Sequence, residues 1–434
     1  MGIYFNPNHT DFYNAVNHSQ IYVDKTKLIQ YTNSVLFGEQ KYICVSRPRR
    51  FGKSMAANML TAYYSRGCDS KELFQELKIA THPDFEKHLN QYNVIHLNMR
   101  DYLTESENMK QLIQFVEDDL LDELQQEFSD LRMPRRKTLV KVLEQAFVQY
   151  KIPFVFIIDE WDCIFRVHKS DAVSQKDYLD FLRNLLKDKS YIALAYMTGI
   201  LPIKKYGEHS AINVFYEYSM TDASPIEEFT GFTEQEVRQL CEQYNMPFSE
   251  TKKWYDGYCV DGVSIYNPKS VVEAMLRGKF SNYWTQTETY EALKIYIQSN
   301  EFGVQDVILK LLAGEKEKID TTTFSNDMVT FATKDDVLTL LVHLGYLTYN
   351  AETKEIWIPN DEVMEQFIST VKVMGWGSVV TALETSEKLL QATLSGDEQT
   401  VAELIEQAHQ ANASILKYND ENALSCVCLL YTSP

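Results

Sequence analysis

Apolar and polar residues along this chain follow two periodicities that take turns. Tyr42 to Ser46, Tyr92 to Met99, Ile152 to Ile158 and Tyr191 to Gly199 are short apolar runs of strand length. Between them lie stretches with a helical repeat: Met55 to Tyr64, Leu139 to Tyr150, and a stripe of Tyr178, Phe181, Leu182, Leu185 and Leu186. A longer helix carries Leu112, Val116, Leu120, Leu124 and Phe128 on one face and Glu117, Asp118 and Asp122 outside, as expected where a single stripe meets a core. Unbroken apolar runs rich in β-branched and aromatic residues predict strands buried on both faces. Strands alternating with helices predict a parallel α/β sheet.

The pattern changes near Phe229. Thr233 and Glu236 form a capping box that opens a helix, and most of the later chain has helical spacing. Trp254-Tyr255-Asp256-Gly257-Tyr258 sets a D-G turn between aromatics, which predicts packing more than chemistry. Asp335 to Leu344 reads as a helix, followed by Tyr346 to Asn350, a polar turn, and Glu355 to Pro359. A helix followed by a hairpin is the outline of a winged-helix domain. Its wing carries Glu352, Lys354 and Glu355, too acidic to favour phosphate, so a packing role is expected. From about Val379 the chain is helical, with Val401, Leu404, Ile405 and Ala408 in one stripe. A last helix-like run from Asn419 breaks off at Cys426 to Pro434 without polar closure, like a domain cut mid-element. Three parts are expected: 1–228, 229–375 and 376–434.

Composition narrows the class. The chain has 434 residues, 45% of them hydrophobic, ample for a core and ordinary for a globular protein. The longest apolar runs are strand-sized, so no membrane span is expected, and the N-terminus lacks a signal-peptide pattern. Seven scattered cysteines without a C-x-x-C pair predict reduced thiols in a cytoplasm. A net charge of −19 argues against a surface that coats nucleic acid. The basic stretch Arg132, Arg135, Arg136 and Lys137 leaves a local contact open as a weaker reading.

Candidate chemistry concentrates in two places. Arg47 to Ser54, R-P-R-R-F-G-K-S, joins the first strand to a helix, the setting a phosphate-binding loop requires. Gly52 lets backbone N–H groups approach phosphate, Lys53 reaches the β- and γ-phosphates, and Ser54 offers a hydroxyl to Mg2+. Arg49, Arg50 and Phe51 complete the candidate nucleotide cradle. Arg47 stands where the generic loop has glycine. Forcing an L-residue to positive φ costs roughly 1–2 kcal/mol, so the first half of the loop is expected to turn differently. The second place is Asp159-Glu160, closing the strand Ile152 to Ile158 at the edge where open α/β sheets bind ligands. Asp159 would hold Mg2+ and Glu160 would take a proton from the attacking water. Thr198 ends another strand, expected between the first two. It would orient water or report nucleotide state, or else cap the turn at Gly199. Lys53, Glu160 and Thr198 are thus the candidate catalytic residues, and Ser54 and Asp159 the candidate metal ligands. Lys204 and Lys205 could reach phosphate. Arg166 and Arg183 are candidate donors to a neighbouring subunit's site, and the oligomeric state is left open.

Taken together, Tyr22-Val23-Asp24-Lys25-Thr26, Arg47 to Ser54, Ile157 to Glu160, Met197 to Ile203, Gly231-Phe232-Thr233, Trp254 to Tyr258 and Tyr266-Asn267-Pro268 resemble the AAA-ATPase-like family of bacterial proteins. The resemblance spans nearly the whole chain, and R-P-R-R-F-G-K-S is similar to that family's own form of the loop. It implies a P-loop ATPase core of the ASCE type with a helical, winged-helix-like extension, ATP and Mg2+ as cofactors, and a nuclease module of the PD-(D/E)XK type behind. Tyr418 to Glu421 resembles the entry into that module, through which nucleic acid would be a partner. Two functions remain: Mg2+-dependent ATP hydrolysis that gates or drives the module, or a nucleotide-binding switch without significant turnover.

Overall fold

The computed structural model describes residues 2–203, 212–284, 301–324, 331–375 and 377–412, together with 294, 295 and 297. Its centre is a five-stranded, all-parallel sheet of β1 (Tyr42–Ser46), β2 (Asn93–Asn98), β3 (Phe154–Asp159), β4 (Ile192–Gly199) and β5 (Tyr216–Tyr218). The strand order is β2-β3-β4-β1-β5. Every residue of β1, β3 and β4 is buried, which is why their sequences run apolar without alternation. Helix Lys53–Tyr64 buries Ala56, Ala57, Met59, Leu60, Ala62, Tyr63 and Tyr64. All of these join Ile43, Val45, Val94, Val155, Ile157 and Tyr196 in one core. The N-terminal arm covers the β2 edge: Asn6 N donates to Val94 O and His96 N to Tyr4 O, at 2.7 and 2.8 Å. A capped edge offers no template for a foreign strand.

As expected, β4 lies between the loop strand and the Asp-Glu strand. Val45 faces Thr198, Ile158 faces Met197 and Asn98 faces Asp159 in register. Ser46, Thr198 and Asp159 therefore finish at one edge of the sheet, the carboxyl edge where such folds place ligands.

Beyond the sheet comes a small antiparallel one of β6 (Phe232–Thr233), β7 (Tyr258–Val260) and β8 (Val263–Tyr266), in the order β6-β8-β7. Helices Glu234–Tyr244, Phe248–Tyr255 and Pro268–Arg277 share a core with it through Val237, Leu240, Tyr255, Tyr266, Val271 and Ala274. The capping box read from Thr233 and Glu236 is present in both directions. A third sheet joins β9 (Glu317–Lys318), β10 (Thr348–Asn350) and β11 (Glu355–Trp357). The helix-then-hairpin outline is there, Lys334–Leu344 followed by β10 and β11. The third strand, β9, is two charged residues long and left no apolar signal. Helix Lys334–Leu344 is buried from Asp336 through Leu344. A helix buried on all sides is a core helix, so it does not offer an open face to a nucleic-acid groove.

Residues 1–364 form one compact unit and 365–434 a second. In the second, helices Gly377–Ser395 and Glu398–Asn412 make a hairpin, turned at Gly396 with φ +74°. The expected start of a further module at Tyr418 to Glu421 lies outside the described residues, as do Lys204 and Lys205. No helix among the described residues is long and apolar enough to cross a membrane.

Candidate nucleotide site

The loop between β1 and helix Lys53–Tyr64 begins with a buried residue. Arg47 is 0% exposed; its Nη1 donates to the carbonyls of Ser46 and Tyr218, both at 2.9 Å. Its backbone N–H reaches Gly199 O at 3.1 Å. Burial pushes this guanidinium down to about 10. Arg47 is therefore a strut between β1 and β5. Positive φ occurs instead at Arg50 (+71°) and Gly52 (+84°), so the expected different turning of the loop's first half is real. A Cβ on Gly52 would meet nothing within 4 Å, because its face opens onto a cavity. Phe51 carries the loop's apolar anchor, 0% exposed and edge-on to Tyr258.

Lys53 opens the helix and is itself buried. Its Nζ donates to Arg47 O at 2.9 Å and Pro48 O at 2.8 Å, so the ammonium is tied to its own loop. Burial pushes it down to about 8, against the opposing pull of Glu160 and then Asp159. Ser54, the next residue, is exposed.

At the neighbouring strand ends, Asp159 is 4% exposed and Thr198 is 0% exposed. The Thr198 hydroxyl donates to Asp159 Oδ1, which also accepts the Glu160 N–H at 3.0 Å. Thr198 thus bonds sideways to the carboxylate on the adjacent strand. Glu160 has left-handed backbone, φ +55°, and pairs with Arg166 Nη2. Burial pushes the Glu160 carboxyl up, but Arg166 and then Lys53 outweigh it, leaving the group below its usual range. Asp162 is fully buried. It takes Arg166 Nε at 3.1 Å and the N–H groups of Ile200 and Leu201 at 3.1 and 2.9 Å. Arg166 is engaged by two carboxylates of its own chain. Arg183 forms an exposed pair with Asp180 at 2.7 Å.

A cavity of about 530 Å³ brings the loop and the strand ends together, lined among others by Arg49, Arg50, Phe51, Gly52, Lys53, Ser54 and Glu160. Of the candidate residues at the strand ends, Glu160 lines the cavity, while Asp159 and Thr198 are buried and are not part of its lining. The lining also includes the apolar side chains of Ile21, Tyr22, Val23, Phe229, Phe232 and Val272. Three further basic residues line the cavity: Lys25, quoted in the sequence only as part of a motif, and Arg100 and Lys269, which the sequence reading missed. Lys25 sits in the Y-V-D-K-T box, where its Nζ donates to Glu228 O at 2.7 Å and Glu236 at 2.5 Å. It clips the N-terminal arm to the helix capped by Thr233. Asp24 and Thr26 beside it accept the backbone N–H groups of Lys78 and Ile79. The box thus positions the arm over the cavity. Arg100 follows β2 directly, and the Asn98 side chain caps its helix by accepting Arg100 N at 3.0 Å.

The sheet order, the loop and the strand ends define a P-loop nucleoside-triphosphatase fold with a strand inserted between the loop strand and the acidic one. Over residues 8–207 the chain matches the AAA-ATPase-like family, described as predicted AAA-ATPase. It is 24% identical over 279 residues to the uncharacterized protein in the vnfD 5′ region of Azotobacter chroococcum mcd 1, a match covering 62% of this chain and 51% of that protein. The chain thus spans about half the length of that relative. Among solved structures it is similar to the Walker-type ATPase PABY2304 of Pyrococcus abyssi, with TM-score 0.38 and 12% identity over 79% of this chain and 94% of that one. It is also similar to the ORC2 protein of Aeropyrum pernix in its ADPNP–ADP complexes, with TM-score 0.33 and 12% identity over 82% of this chain and 97% of the other.

Proposed function

We propose that this chain binds ATP with Mg2+ and hydrolyses it. The observation that carries the reading is the single cavity shared by Gly52, Lys53, Ser54 and Glu160, with Asp159 and Thr198 joined at the adjacent strand ends. Its volume falls in the range of small-ligand sites. Its lining combines basic groups and a helix N-terminus, where phosphate is favoured, with apolar side chains suited to a base.

The geometry supports the following roles. Lys53 leaves the Arg47 and Pro48 carbonyls to meet the β- and γ-phosphates, while the N–H groups at the helix start and the Arg49 and Arg50 side chains hold the remaining oxygens. Phe51 shapes the cradle from below. Ser54 and Asp159 fit a divalent cation: both hydrogen bonds given to Asp159 land on Oδ1, which leaves Oδ2 for the metal. Bound there, Mg2+ would neutralise charge developing on the phosphoryl oxygens. Glu160 accepts the proton of the attacking water, and Thr198 orients the Asp159 carboxylate. The resemblance to ATPases that precede a nuclease supports a further reading, in which turnover gates or drives a C-terminal module of that kind. Five described cysteines, all free, accord with a cytoplasmic setting.

Titration with a fluorescent ATP analogue and single-turnover phosphate release test the proposal. Lys53→Ala should weaken binding strongly, because its charge near phosphate is worth up to about 4 kcal/mol at an effective dielectric of 20. Glu160→Gln should bind like the parent and cut turnover to a small residual rate. Hydrolysis at the parental rate in both variants would defeat the enzymatic reading. One observation favours the alternative of a switch without turnover: the Lys53 ammonium is held by the Arg47 and Pro48 carbonyls of its own chain. Bound analogue with negligible phosphate release from the parent would establish that alternative.

A further inference from the structure

We infer that Arg166 is a positioning residue for Glu160, acting within its own subunit; the inference rests on the proposed ATPase reaction. Glu160 ends a strand and turns into left-handed backbone, a conformation that non-glycine residues hold only when their surroundings impose it. The hydrogen bond of its own N–H to Asp159 Oδ1 places the main chain but not the carboxylate. The carboxylate is placed by Arg166, which is only 12% exposed. Arg166 in turn is seated on Asp162, through Nε to Oδ2 at 3.1 Å and Nη2 to Oδ1 at 3.4 Å.

Asp162 has no freedom to follow a wandering guanidinium. It is 0% exposed and receives the N–H groups of Ile200 and Leu201. Those residues continue the strand that ends at Thr198 and Gly199. The Leu201 carbonyl accepts the Ser46 hydroxyl at 3.0 Å, and the Gly199 carbonyl accepts the Arg47 N–H. An unbroken series of bonds therefore runs from the phosphate loop through the end of β4 to Asp162, Arg166 and the Glu160 carboxylate. A planar guanidinium suits this task because its fork addresses two carboxylates in fixed relative geometry, which a lysine ammonium does less well. Arg166 bonds to the Glu160 carboxylate and so sets where the proton acceptor stands.

A purely structural ion pair makes different predictions. Arg166→Met should lower the single-turnover rate of ATP hydrolysis by on the order of 10- to 100-fold, the scale of a misplaced catalytic group. Affinity for the fluorescent ATP analogue should stay within about threefold of the parent, since the uniform binding contacts are untouched. Arg166→Lys should recover part of the rate. In a Glu160→Gln background, Arg166→Met should lower the residual rate no further, because groups acting as one unit are non-additive. The inference is overturned if Arg166→Met hydrolyses ATP like the parent, if affinity and rate fall together, or if the double variant is slower than Glu160→Gln alone. Should Arg166→Met fail to fold, Arg166→Lys decides the matter: a rate reduced at near-parental affinity supports the inference, and a parental rate or a joint fall of rate and affinity overturns it. Absence of hydrolysis by the parent would remove the enzymatic reading and this inference with it. Parental turnover that is insensitive to Arg166 would remove this inference alone.

Discussion

Phe51 stands edge-on against Tyr258, ring centroids 5.1 Å apart and planes at 87°. The phosphate loop is thereby bolted to the small β7–β8 hairpin. Gly231 N donates to Phe51 O at 2.9 Å, and the Tyr258 hydroxyl donates to Gly345 O at 2.9 Å. Pro48 lies so close to Gly345 that a Cβ there would come within 2.8 Å of the proline ring. Lys53, held by the Pro48 carbonyl, thus sits one residue from contacts that reach the end of helix Lys334–Leu344. Phe51→Ala should cost about 3–5 kcal/mol of stability, the usual range for a buried phenylalanine. Tyr258→Phe, which deletes only the hydroxyl bond, should cost about 1 kcal/mol. Urea unfolding midpoints measure both, and an unchanged midpoint for Phe51→Ala would contradict this packing.

The D-G turn in Trp254 to Tyr258 has an equally direct test. Gly257 has φ +100°, and a Cβ on it would lie 1.9 Å from the Pro359 carbonyl oxygen. Asn360 Nδ2 also donates to Asp256 O at 2.7 Å, so this approach is fixed from both sides. Gly257→Ala should destabilise the first unit by more than about 2 kcal/mol, combining backbone strain with the clash. Retention of the parental melting temperature would refute it.

His343 predicts a pH dependence. It is buried, with Phe324 against its ring at 5.3 Å between centroids. Burial, reinforced by the Arg47 charge, pushes its pKa down to about 3. Between that value and the ordinary histidine range the unfolded chain binds a proton that the folded chain does not. Stability contributed by the neutral ring is therefore full above about pH 6.5 and is lost as pH falls toward 3, at up to about 1.4 kcal/mol per pH unit. His343→Leu should flatten the acid limb of a stability–pH curve. An identical slope in the variant would show that other groups carry it.

Thr198 bears on the proposed Mg2+ site. Removing its hydroxyl leaves Asp159 Oδ1 with the Glu160 N–H alone. Outer-shell partners of a ligand carboxylate typically matter by about 10- to 100-fold in metal affinity or activity. Thr198→Val should accordingly raise the Mg2+ concentration that half-saturates hydrolysis by at least about tenfold while leaving the fold intact by circular dichroism. An unchanged Mg2+ dependence would place Thr198 outside the metal's surroundings.

Local physics made much of this protein legible in advance. Strands β1, β3 and β4 are buried on both faces, so their apolar runs could have only one meaning, and strand ends bearing Asp159 and Thr198 could be read at the sheet's carboxyl edge. Helix Leu139–Tyr150 has the bounds its periodicity predicts, and the Thr233–Glu236 box caps a helix as its spacing requires. Other features depend on residues far apart in the chain and carry no local signal. Arg47 resembles a phosphate ligand until its guanidinium is seen bonded to the Tyr218 carbonyl, 171 positions away. Strand β9 is two charged residues whose pairing with β11 alone makes them a strand. Lys25, Arg100 and Lys269 come into one wall only because the arm, the β2 end and the helix at Pro268 converge there. Arg166 is four residues from Asp162, a spacing any helix could show, yet its bond to Glu160 requires the turn that closes β3. Hydrophobic periodicity and short motifs decided the elements and the chemistry on offer. Only tertiary packing, which desolvates some charges and pairs others, decided which of them face the cavity.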